Sequence, residues 1–85
     1  MILKIYTQEG KSESERALEI ADELEEERFT VERLDFDKPE SHLTANIYDI
    51  LETPSFIVTQ DDGREIKSWK GEIPPISDIK IYLRQ

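Results

Sequence analysis

The chain contains no cysteine. Disulfides, thiolate metal sites and thiol catalysis are therefore excluded, and composition gives no reading of redox compartment. Long apolar runs are also missing. The chain begins Met-Ile-Leu-Lys without a basic leader, so neither a signal peptide nor a transmembrane helix is expected. The expected setting is intracellular and cytoplasmic. Positive charge is scarce: 11 Lys and Arg stand against 20 Asp and Glu, a net charge of −9. Such an excess repels phosphate backbones and anionic bilayers, so neither nucleic acid nor membrane is an expected partner. The plain reading of the acid excess is a solvated face that keeps the protein soluble. A basic protein partner is the other. With 85 residues, one domain spanning residues 1–85 with one modest core is expected, as a monomer.

What is present alternates between strand and helix patterns. "MILKIYT" is a mostly apolar run suited to a buried strand. After "QEGKS", Ser12 and Glu15 have capping-box spacing. Ala17, Ile20, Ala21 and Leu24 then recur at helical intervals, predicting a helix from about Glu13 to about Glu27. "RFTVERLDFD" reads as a second strand. Phe29 and Val31 are in one phase and Leu34 and Phe36 in the other, which suggests a bulge or burial on both faces. "DKPESHLTANIYDILE" reads as a second helix, with Pro39 in its first turn and Leu43, Ile47, Ile50 and Leu51 as its apolar face. "SFIVTQ" and "REIKSWK" are strands joined by the Asp-Asp-Gly turn. Trp69 on the second of them is either a core residue or an exposed edge anchor. "ISDIKIYLRQ" closes the chain as a helix, with Ile76, Ile79, Ile81 and Leu83 as apolar candidates.

The order is β-α-β-α-β-β-α. A right-handed parallel crossover followed by an antiparallel hairpin and a helix predicts an α/β fold in three layers. Helices cover both faces of a mixed four-stranded sheet. Thr53-Pro54 stands at the entrance of the third strand, where a residue without an N–H is tolerated.

This order, with Thr-Pro opening the third strand, resembles the thioredoxin-like superfamily and within it the glutaredoxin/thioredoxin branch, the glutaredoxins being nearest in length. The stretches that carry the resemblance are "LKIYT", "SERALEIADEL", "VERLDFD", "TPSFIV", "DDGREIKSWKG" and "IPPISDIKIYL". The resemblance implies a cis Thr53–Pro54 bond that exposes backbone ahead of the strand, where an extended peptide or glutathione can pair. A plain trans proline opening a strand is the alternative, since cis X-Pro bonds are uncommon. The resemblance also makes Gly71 close the peptide groove, with Glu72 to Pro75 on its rim.

Counting back from Glu15-Arg16-Ala17, Lys11 falls where the family carries its nucleophilic cysteine and Ser14 where it carries the resolving one. Exchange chemistry needs a thiolate that is both nucleophile and leaving group, so dithiol oxidoreductase activity is excluded. Whether the chain is an enzyme of another kind stays open. The expected function is a non-catalytic module that binds an extended peptide or a partner protein, with Tyr6, Lys11, Ser12, Ser14, Thr53, Pro54 and Gly71 as the binding residues implied by the resemblance. The alternative is an oxidoreductase variant or relic that binds glutathione or another small thiol compound. "KGEIPP" lacks the Gly-Gly/Asp-rich signature of glutathione-binding glutaredoxins, which argues against it. The KaiB-type clock proteins are also thioredoxin-like and lack a working redox pair. "SERAL", residues 14–18, is similar to their Ser-x-Arg-Ala-Leu run, but "DGREIKSWKGEIPPISDI" departs from them. They serve as a precedent for a cysteine-free member that works by binding.

The remaining candidates have ordinary readings. Lys11, Ser12 and Ser14 at a helix start can hold a small anion. The preferred reading is that Ser12 caps the helix, Ser14 fills its first turn and Lys11 is solvated, since a Ser cap alone accounts for the pattern. His42 has no metal-ligand spacing around it. Asp35, Asp37 and Glu40 fit an exposed turn and helix start, where acids are favoured. No metal and no cofactor is expected.

Overall fold

Seven elements follow one another in that order in a computed structural model that describes residues 1–85. They are β1 (Ile2–Thr7), α1 (Ser12–Glu26), β2 (Val31–Asp35), α2 (Pro39–Ile47), β3 (Ser55–Thr59), β4 (Glu65–Lys70) and α3 (Ile76–Leu83). The sheet order is β2-β1-β3-β4. β1 and β2 run parallel, and β3 runs antiparallel to both β1 and β4. No helix is long and apolar enough to cross a membrane.

Strand alternation divides the core between two faces. Leu3, Ile5, Phe56 and Val58 point to one side, where they meet Ala17, Ile20, Ala21 and Leu24 of α1 and Ile79 and Leu83 of α3. Trp69 joins this cluster as a buried core residue. Tyr6 and Ile57 point to the other side, against Ala45 and Ile50. Each large side chain removed from water contributes about 1.5–3 kcal/mol, so the first cluster carries most of the stabilisation. β1 and β3 are both paired on two sides, and β3 is buried along its whole length.

The phase switch in β2 comes from burial on both faces. Val31 packs with the first cluster and Leu34 and Phe36 with the second, while the register from Leu3↔Val31 to Thr7↔Asp35 runs unbroken. The one register shift lies between β3 and β4, at Val58/Thr59.

The apolar face expected for α2 is not its buried face. Leu43, Ile47 and Leu51 are 70%, 74% and 87% exposed. Ser41 and Ala45 face the sheet instead. Small residues let the helix lie close enough for the Tyr6 hydroxyl to reach Thr44 Oγ1 at 2.6 Å. The Thr44 hydroxyl proton goes to the Ser41 carbonyl at 3.0 Å, so Tyr6 is the donor in its bond. α2 also ends earlier than expected. Asp49, at φ 56°, reverses the chain, and Ile50 N–H donates to Ala45 O at 2.8 Å while Asp49 N–H donates to Asn46 O at 3.2 Å. This is a Schellman ending, and it drops Ile50 into the core. α1 ends the same way, with Arg28 at φ 71° and Phe29 N–H donating to Leu24 O at 3.0 Å. On α3, Ile81 is 60% exposed and not in the core, which Ile79 and Leu83 supply.

Candidate functional site

The end of β1, the start of α1, the entry to β3 and the exit from β4 converge at one end of the sheet. Gln8 ties them together. Its backbone carbonyl accepts from Ser14 Oγ at 2.8 Å, and its N–H donates back to the same Oγ at 3.2 Å. Its side-chain oxygen accepts from Thr53 Oγ1 at 2.9 Å, and its amide nitrogen donates to Asp37 at 2.9 Å. One side chain thus fixes the loop before α1 to both the Thr53 segment and the turn before α2.

The capping box is not formed. The residue before the helix is Lys11, which makes no side-chain cap, and the Ser12 hydroxyl donates to the neighbouring Glu13 at 3.2 Å. Ser14, expected as a first-turn filler, is the residue that anchors the loop, and it is buried. Lys11 is not free in solvent either. Its Nζ donates to the carbonyl oxygen of Thr53 at 3.2 Å.

Thr53–Pro54 is a cis peptide bond. Both residues are buried, and the Thr53 N–H has no acceptor in the chain. Ser55 Oγ then donates to Glu52 O at 2.7 Å and accepts from Gly71 N–H at 3.1 Å, which joins the entry of β3 to the exit of β4. Gly71 sits at φ +72°, and a Cβ there would collide with the Glu52 side chain. The positive φ is what favours glycine here, since the exposed Glu52 side chain could move aside.

These contacts leave a cleft of about 330 Å³. Lys11 from just before α1 and Glu13 from its first turn line it, with Glu52, Thr53 and Pro54 from the entry of β3, and Gly71, Glu72 and Ile73 from the exit of β4. Its charge is mostly negative. The Glu13 carboxyl is held below the usual carboxylate range by its own backbone N–H first, then by the Ser12 hydroxyl, with Lys11 adding a smaller effect. A larger hollow of about 470 Å³ lies at the opposite end of the sheet, between Met1, Gln60, Asp61, Asp62 and Gln85. It brings together the chain ends and a turn, and the Met1 amine already pairs with Asp61 at 3.0 Å.

Of the residues expected to bind, Lys11, Thr53, Pro54 and Gly71 meet in this cleft. Ser12 lies beside it on the loop, and Ser14 is behind the loop. Tyr6 is not part of it: the ring is fully buried and the hydroxyl is held by Thr44. Burial also pushes the Tyr6 phenol above its ordinary pKa. Glu13, Glu52 and Gln8 were not among the expected binding residues. The acid at the first helical turn was visible as a pattern, but nothing in the sequence marks Gln8 as the link between segments. No group of His, Asp and Glu could hold a metal ion, and the His42 ring stacks on Phe36 with centroids 4.7 Å apart. The cleft offers hydrogen bonds and charge, and no thiol.

Thioredoxin 1 from the thermophilic eubacterium Thermosipho africanus TCF52B matches this chain with TM-score 0.76 and 19% identity, over 99% of this chain and 96% of that one. The fold is thioredoxin-like. A thioredoxin from Thermus thermophilus, solved in solution, matches with TM-score 0.61 and 21% identity, over 98% of this chain and 70% of that one. No protein-family profile and no curated sequence matches the chain. The chain thus combines a thioredoxin-like fold with a complete absence of cysteine. At these identities the likeness establishes the fold, and the function has to be argued from the cleft.

Proposed function

We propose that this chain is a non-catalytic, thioredoxin-like binding module that takes an extended segment of a partner protein along Thr53–Pro54. The observation that carries the reading is the Thr53 peptide group. Thr53 lines the cleft, and its N–H meets no acceptor in the chain. An extended peptide satisfies such a donor by strand-like pairing, with its side chains giving selectivity. Lys11 supports the same reading, because it stands at the helix start and closes the loop onto Thr53 with a hydrogen bond. The glutathione-binding alternative is less well supported, since a small anion would enter a cleft lined by Glu13, Glu52 and Glu72.

An NMR titration of the isotope-labelled protein tests it, first with reduced glutathione at millimolar concentration and then with an extended peptide of alternating Thr and Val. Shifts confined to amides around Lys11, Thr53 and Gly71 on adding the peptide alone are expected. Shifts at the same amides with glutathione would favour the oxidoreductase variant. No response at this cleft to either ligand would overturn the binding role.

A further inference from the structure

The cleft beside Thr53 is rimmed by carboxylates that the chain itself does not neutralise. Glu13 comes from the first turn of α1, Glu52 from just before the cis bond and Glu72 from just after Gly71. None of them forms an ion pair with a Lys or Arg of the chain. The one cation in the cleft, Lys11, directs its ammonium to a carbonyl oxygen. Glu13 is held in its charged form by its own backbone N–H and the Ser12 hydroxyl. The Glu52 side chain lies over Gly71, where a Cβ would otherwise stand.

Two independent features therefore meet at one place: an unpaired backbone donor at Thr53, which lines the cleft, and negative charge around it that forms no ion pair. An extended chain fits the first, and cationic side chains fit the second. Building on the binding role above, we propose that the segment this cleft takes is basic. Its backbone pairs at Thr53, and its Lys or Arg side chains reach Glu13, Glu52 and Glu72. Same-side residues of a strand are about 7 Å apart, so cations at alternate positions present one edge of charge to the rim. Rim charges act mainly on selectivity and on the rate of encounter, and salt screens them.

The test uses three labelled peptides and fluorescence anisotropy. The parent is acetyl-Thr-Val-Lys-Val-Lys-Val-Thr-amide, and its analogues carry Gln or Glu in place of both lysines. The Lys peptide is expected to bind about tenfold tighter than the Gln peptide, and the Gln peptide tighter than the Glu peptide, with the spread shrinking as salt rises. The combined variant Glu13→Gln, Glu52→Gln, Glu72→Gln should abolish the spread. A variant of equal charge change far from the cleft, Glu23→Gln, Glu26→Gln, Glu65→Gln, should keep it. Circular dichroism establishes that both variants are folded. If the three peptides bind alike, or the Glu peptide binds best, the preference for cations is overturned and the binding role stands. If the remote variant abolishes the spread as fully as the cleft variant, the overall charge of the protein is responsible and the cleft is not. If no peptide binds at this cleft, the binding role itself falls, and the basic-segment proposal falls with it.

Discussion

The ammonium of Lys11 donates to the carbonyl oxygen of Thr53, 3.2 Å away, joining residues 42 positions apart. The bond holds the loop before α1 against the entry of β3. Lys11→Met keeps the length of the side chain and removes the donor. It should lower stability by about 0.5–1.5 kcal/mol, the usual net worth of one such bond, as measured by urea unfolding. The Thr53 and Ser55 amide resonances should move. An unchanged spectrum around Thr53 would mean that the ammonium is solvated.

Ser14 and Ser12 invite a direct comparison. Ser14 Oγ satisfies both backbone groups of Gln8, and Ser12 Oγ touches only its exposed neighbour Glu13. Ser14→Ala should cost about 1–3 kcal/mol because it strands two partners in a part-buried site. Ser12→Ala should stay within about 0.5 kcal/mol, as exposed substitutions usually do. Equal costs, or the reverse order, would restore Ser12 as the helix cap.

The misreading of these two serines is typical of what the sequence hides. The seven elements were legible, because period-two and period-3.6 patterns report burial directly. The end of α1 was legible to within a residue, and the end of α2 was not: Asp49 holds the left-handed position where glycine is the usual signal, so that ending does not announce itself. Leu43 and Ile47 have helical spacing but face outward, because Ser41 and Ala45 set the close approach of α2 to the sheet. Period alone cannot say which side of a helix meets its partner. Lys11, Thr53, Pro54 and Gly71 could be placed together through the resemblance. Glu13 and Glu52 needed the geometry of three separate segments.

Arg28 offers a route to higher stability. Its φ of 71° suits glycine, and its side chain makes no salt bridge. Arg28→Gly should raise stability by about 1 kcal/mol, since the left-handed conformation costs a residue with a Cβ about 1–2 kcal/mol and the greater freedom of unfolded glycine returns part of that gain. Thermal unfolding checks this, and a lower midpoint would show that the side chain supports the helix end.

Tyr6 sets an alkaline limit. Its phenol is raised above the ordinary value by burial, so the folded state holds the proton more tightly than the unfolded chain does. The stability this contributes is whole below the unfolded value of about 10 and is lost as pH rises through the higher folded value. Urea midpoints measured upward from neutral pH should therefore fall beyond that point. Tyr6→Phe should be less stable at neutral pH, through loss of the bond to Thr44, and should show a shallower alkaline decline. Parallel declines would assign the effect to other groups.

Thr59 carries a buried hydroxyl with no hydrogen-bond partner, in a residue with no exposed surface. Leaving such a group unpaired costs about 1–3 kcal/mol by the measure of protein substitutions. Thr59→Val, of nearly the same shape, should be stabilising by about 1 kcal/mol. A loss of stability in chemical unfolding would show that the hydroxyl is satisfied in solution.

A contact between an ammonium and a peptide oxygen has no electrons to give up. Oxidants and reductants that would make or break a bond between two sulfurs leave the junction of Lys11 and Thr53 as it was. The cleft beside it is therefore lined by no group of this chain whose bonding changes with redox potential.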